Sequence, residues 1–195
     1  MRTRNYAADF TTDDESRIIR GLAIPVNSRS EFLHEDDGNY YEIILPEAVN
    51  EDLINNNDVK IYLDHDYSQG TYARSKYGKG SLKLSISERG LEFEFEAPNT
   101  VFGNALLEGI KRGDYDAVSF GFYPDEEYWD YDTHYIRSFS NLLEISILSL
   151  QPAFSATEVD IRSLREYKNK QNEEILSRLD EKMQDVDILF DGLTI

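Results

Sequence analysis

Alternation with a period of two governs this chain. Leu82, Leu84 and Ile86 are separated by Lys83 and Ser85, and Leu91, Phe93 and Phe95 by Glu92 and Glu94. Successive strand side chains point to opposite faces, so each run carries one apolar and one polar face. Ser87 to Gly90 supplies a turn between them, which gives an antiparallel hairpin with one solvated face. The same period runs through Val59, Ile61 and Leu63 and places His65 at the end of that apolar row. Ala117 to Tyr123 and Leu142 to Leu150 read as further strands, as do Arg17 to Val26 and Tyr40 to Leu45. Tyr128 to Trp129 and Tyr135 to Phe139 flank the turn-forming Asp130 to Thr133.

Helical spacing is scarcer. Val101, Ala105, Leu106 and Ile110 mark one helix, closed by Lys111 and Arg112 and then Gly113. Pro46 opens a shorter one running through Val49 and Leu53 to Asn55, while the polar stretch Asn27 to Asn39 reads as a loop. After Arg162 the composition changes: Lys168 to Glu174 is wholly polar, and Ile175, Leu176, Leu179, Met183 and Val186 then share one helical face. A chain of 195 residues accommodates one domain with an appendage. The expected architecture is α+β and mainly β: a single antiparallel barrel-like domain over residues 1–162 with flanking helices, then a helical, acidic extension over residues 163–195.

Twenty Lys and Arg against 38 Asp and Glu give a formal charge of −18. That sign repels phosphate backbones and anionic lipid, so neither nucleic acid nor membrane is expected as a partner. The absence of cysteine excludes disulfides, thiolate metal sites and a cysteine nucleophile. Met1 to Asp14 lacks the apolar run of a signal peptide, and no later stretch has the length of a spanning helix, so an intracellular, soluble protein is expected. No EF-hand spacing, phosphate-cradling glycine run, His-Glu-x-x-His pattern or Gly-x-Ser-x-Gly elbow occurs, and no cofactor or metal is expected.

Three residues stand out against their surroundings. A general base near neutral pH is most often a histidine, and only His34, His65 and His134 are present. His34 and His134 fall in polar loops and read as surface residues. His65 sits where a core-facing strand meets solvent, although periodicity alone favours a capped structural histidine there. Ser119 lies in Ala117-Val118-Ser119-Phe120-Gly121-Phe122, with the bulky residues on one face and Ser119 between the small Ala117 and Gly121 on the other. That leaves room for a substrate backbone; it also suits a plain strand serine beside a glycine bulge. Glu144, in Leu142-Leu143-Glu144-Ile145-Ser146-Ile147, loses solvation unless it is paired. An ion pair with Arg137 or Arg162 and the orientation of an imidazole are even readings of it.

Seven blocks follow in one order between about Arg17 and Arg162: Gly21-Leu22-Ala23-Ile24-Pro25-Val26-Asn27-Ser28; Glu42 to Val49; Leu63-Asp64-His65-Asp66 with Gly70 and Arg74; Gly80-Ser81-Leu82 with Gly90 to Phe93; Ile110 to Asp114; Val118 to Phe122; and Leu143 to Ile147 with Pro152-Ala153-Phe154. Together they resemble the tailed-phage prohead serine protease family, which is related in fold to the herpesvirus capsid-maturation proteases. The resemblance implies a serine endopeptidase with His65 as base, Ser119 as nucleophile and Glu144 as the orienting acid. Herpesvirus relatives use a second histidine in the third role, which keeps His34 and His134 as alternatives. Glu47-Ala48-Val49 departs from the Gly-Ala-Phe common in the family, and no arginine pair for the oxyanion follows Ser119. The resemblance further implies the phage major capsid protein or scaffold as substrate, self-cleavage, a homodimer by analogy, and action inside the procapsid in the bacterial cytoplasm. A non-catalytic head-assembly or scaffold-binding module with the same fold is the alternative.

Overall fold

A computed structural model describes residues 1–7, 10–12, 16–35 and 38–149. The helical extension expected after Arg162 lies outside the described residues. Chain order is β1 (Arg2–Ala7), β2 (Thr11–Thr12), β3 (Ile18–Pro25), β4 (Leu33–Glu35), β5 (Gly38–Ile44), α1 (Glu51–Asn55), β6 (Asp58–Leu63), β7 (Ala73–Lys76), β8 (Lys79–Gly80), β9 (Leu82–Ser87), β10 (Gly90–Glu96), α2 (Val101–Arg112), β11 (Ala117–Pro124), β12 (Glu127–Asp130), β13 (Thr133–Ile136) and β14 (Phe139–Leu148).

The fold is mainly β, with few helices, but among the described residues no closed barrel of the expected antiparallel kind is found. The described strands make three sheets, ordered β1-β11-β14-β6-β7-β8, β2-β3-β10-β9 and β12-β13-β5-β4. Two pairings are parallel, β14 with β6 and β13 with β5. Parallel neighbours need long crossovers, and the chain between β6 and β14, including α2, supplies one. Alternation within a strand cannot reveal the direction of its partner.

On the six-stranded sheet Val118, Phe120 and Phe122, Ile145 and Ile147, and Val59 and Ile61 form one apolar face. It packs in one cluster with Ile19 and Ile24 of β3, Leu91, Phe93 and Phe95 of β10, and Leu106 of α2. Each such side chain contributes about 1.5–3 kcal/mol when fully buried. The opposite face of the same sheet carries the candidate site.

The helix expected from Pro46 to Asn55 is two pieces, a 3₁₀ turn at Pro46–Ala48 and α1. Asn50 separates them because its side chain accepts a hydrogen bond from the Leu53 amide, which suits a cap and not a helix interior. α2 starts at the Thr100 cap and stops at Gly113, whose φ of 78° is left-handed. The stretch expected to loop from Asn27 to Asn39 contains β4, and the His34 backbone pairs there with Asn39. β1 has no apolar pattern to announce it. Its Arg2 and Arg4 are buried by ion pairs to Glu127 and Glu42, each at 2.6 Å.

Candidate active site

Three neighbouring strands of the large sheet build one polar face. In the β11–β14 register Ser119 stands opposite Ser146 and Gly121 opposite Glu144. In the β14–β6 register Glu144 stands opposite Lys60 and Ser146 opposite Tyr62. Direct partners project to the same side of a sheet, so Ser119, Glu144 and Ser146 share the face turned away from the core. A bulge assists: Gly121 pairs with Glu144 while Phe122 pairs with Leu142, leaving Leu143 as an extra residue. It allows Leu142 and Ile145 both to be fully buried in the core with Glu144 on the other face.

His65 is not on the apolar row of β6, as alternation suggests. The strand ends at Leu63, and Asp64 and His65 both take left-handed backbone, with φ of 51° and 57°. The Asp66 amide donates to the Leu63 carbonyl at 2.9 Å and closes the turn. Two successive positive φ values with that bond are the features of a type I′ turn. The Asp64 carboxylate anchors it by accepting from the Ser149 amide at 2.7 Å and the Ser149 hydroxyl at 2.6 Å. The reversal carries the imidazole to the opposite face, where His65 Nδ1 lies 2.5 Å from Glu144 Oε1.

That contact answers what pairs with Glu144. Its side chain is 3% exposed and that of His65 31%, so a buried carboxylate meets a ring at the solvent boundary. Arg137 instead lies 3.6 Å from Glu47. Arg162 is outside the described residues. Tyr67, two residues after His65, lies near the same carboxylate, and its phenol pKa is raised by burial first and by Glu144 second. Its ring packs edge-on against Tyr62 at 4.8 Å between centroids.

Ser119 does not meet the open groove that its small neighbours suggest. It has no exposed surface, and among the described residues its hydroxyl makes no hydrogen bond, to His65 or to any other group. Ser146 is in the same condition. The face therefore holds two adjacent buried hydroxyls with no hydrogen-bond partner among the described residues. The structure thus brings His65 to Glu144 and sets Ser119 one strand away from that acid, without joining serine to imidazole. Tyr67 and Ser146 escaped sequence reasoning. Ser146 shares with Ser119 the signal of a serine inside an apolar strand; Tyr67 carries no periodic signal.

His134 is no surface residue. It is buried in β13, with Nδ1 3.1 Å from Glu42 Oε2 and Nε2 3.1 Å from Glu127 Oε2, and its ring stacks on Trp129 at 4.6 Å. Burial lowers its pKa, but the hydrogen bonds to Glu127 and Glu42 outweigh that and raise it. Burial likewise pushes Glu42 up, and Arg4 and His134 overcome it and hold the carboxyl far below its ordinary range. His134 therefore sits in an ionic network with Arg2, Arg4, Glu42 and Glu127, in the β12–β13–β5 sheet and not in the sheet of Ser119. Among the described residues no group of three or more His, Asp or Glu could hold a metal ion, and no helix is long and apolar enough to cross a membrane.

The caudovirus prohead serine protease family matches this chain over residues 4–173, and the chain belongs to that family. Membership places it among the serine peptidases of tailed phages that act in capsid maturation, with a phage capsid or scaffold protein as the implied substrate. Among curated proteins and solved structures no match was found.

Proposed function

We propose that this protein is an active endopeptidase in which Ser119 is the nucleophile, His65 the general base and Glu144 the acid that orients the imidazole. The observation that carries this reading is the 2.5 Å contact between His65 Nδ1 and Glu144 Oε1, on the sheet face that Ser119 shares. With Nδ1–H donated to the carboxylate, the Nε2 lone pair is left to take a proton. Ser119 Oγ then bonds to the scissile carbonyl carbon while its proton passes to Nε2. His65 returns that proton to the leaving amine as the C–N bond breaks, and water releases the acyl group by the reverse relay. Glu144 stabilises the imidazolium formed in both halves. Because Ser119 is fully buried, productive binding requires a substrate segment to open the face above it.

The substrates are the scaffold or major capsid protein within the procapsid, in the bacterial cytoplasm, and the protease itself; it works as a homodimer and needs no cofactor. Residues 1–162 form the protease domain, and residues 163–195 an extension dispensable for folding, so truncation after Arg162 leaves a cooperatively melting domain. The test of activity is co-expression with the cognate capsid and scaffold proteins. Wild type cleaves them, and Ser119→Ala accumulates intact precursor. Equal cleavage by both would overturn the assignment, and no cleavage by either would favour a non-catalytic assembly module.

A further inference from the structure

Ser146 is the one other hydroxyl on the catalytic face that is fully buried and without a partner among the described residues. Its position is specific. It stands directly across from Ser119, two residues along β14 from Glu144, with Tyr62 across from it on the other side. Directly opposed residues in an antiparallel pair bring their Cβ atoms to about 4.5–5.5 Å, so rotation of either serine about χ1 brings the two hydroxyls within hydrogen-bonding range. No other buried hydroxyl is opposed to Ser119 in either register, since on β1 its partner is the exposed Asn5.

We propose that Ser146 is a positioning residue for Ser119: its hydroxyl donates a hydrogen bond to Ser119 Oγ, turns the Ser119 proton toward His65 Nε2, and shares the negative charge that develops on Oγ as the bond to the carbonyl carbon forms. This rests on Ser119 being the nucleophile. Ser146 itself forms no covalent bond and keeps its proton throughout. A Ser146 hydroxyl not committed to another acceptor among the described residues can serve Ser119 without first breaking a bond. A purely structural serine at this position would be satisfied, as most buried polar groups are.

The test uses the full chain and a fluorophosphonate probe, whose reaction at Ser119 needs the same activation as acylation. Relative to wild type, Ser146→Ala should lower the maximal inactivation rate on the order of tenfold, with the probe's half-saturation concentration unchanged. Ser146→Thr, which keeps the hydroxyl, should recover most of that rate. The melting temperature of Ser146→Ala should match or exceed the wild-type value, since an unsatisfied hydroxyl is removed. A Ser146→Ala rate equal to wild type, or a rate loss that only tracks a lowered melting temperature, would overturn the proposal and leave Ser119 as nucleophile. Failure of wild type itself to be labelled at Ser119 would remove the nucleophile, and the proposal with it.

Discussion

Glu144 occupies the space that a side chain at Gly121 would need: a Cβ at Gly121 would come within 2.9 Å of Glu144 Cγ. The two face each other across β11 and β14, and the missing side chain on one strand lets the carboxylate of the other lie against the sheet. The His65–Glu144 contact is thus set by three local features, the Gly121 gap, the Leu143 bulge and the left-handed turn at Asp64 and His65.

Gly121→Ala should therefore displace Glu144 without unfolding the chain. Overpacking of this kind costs about 1–3 kcal/mol of stability, and misplacing a catalytic group by about 1 Å costs up to ~100-fold in rate. Cleavage of the cognate precursor should fall by about 10- to 100-fold while near-ultraviolet circular dichroism remains native. Wild-type cleavage in Gly121→Ala would show that the position of Glu144 is not critical.

The turn that delivers His65 gives a second prediction. Left-handed backbone costs most L-residues about 1–2 kcal/mol and glycine little. Asp64→Ala keeps that cost and loses both bonds to Ser149, whereas Asp64→Gly loses the bonds but removes the strain. Melting temperatures should fall in the order wild type, Asp64→Gly, Asp64→Ala, and cleavage rates should follow the same order. A reversed order of the two variants would argue against the left-handed turn.

Much of this arrangement is legible in sequence, for identifiable reasons. Period-two runs locate β9 and β10, while β11 shows through its alternate bulky residues Val118, Phe120 and Phe122 and β14 through its apolar run, the last two being largely buried on both faces. Glu144 attracts notice because a carboxylate among Leu and Ile requires a partner. The partner's identity is not local: His65 lies 79 residues away and reaches Glu144 through a parallel pairing and a turn that alternation does not encode. β1 and His134 are missed for a common reason. β1 carries no apolar alternation and His134 reads as a surface residue, yet Arg2, Arg4 and His134 are buried because charges distant in sequence neutralise one another.

That network predicts a pH dependence separate from catalysis. The folded-state pKa of His134 is raised, so its contribution is complete below its unfolded value of about 6.5 and fades as pH rises through the folded value. Burial raises Glu42 and Glu127, but Arg4 with His134, and His134 with Arg2, lower them further, so their contributions are complete above about pH 4.3 and fade as pH falls. The network should stabilise most between about pH 4.3 and 6.5. Melting scans should show His134→Gln destabilised there by about 3 kcal/mol, with a flatter decline on the alkaline side. Below its melting range this variant should still cleave precursor, whereas Glu144→Gln should be severely impaired while folded. The opposite pattern would transfer the orienting role to His134.

A serine nucleophile activated by histidine captures an electrophilic phosphorus, so a covalent adduct can be mapped to Ser119 itself. Wild-type protein treated with a fluorophosphonate, digested and analysed by mass spectrometry should carry a single adduct, on Ser119. The adduct should form far more slowly in His65→Ala and not at all in Ser119→Ala. An adduct on a different residue, or cleavage of precursor by protein in which Ser119 stays unmodified under saturating probe, would rule out Ser119 as the nucleophile.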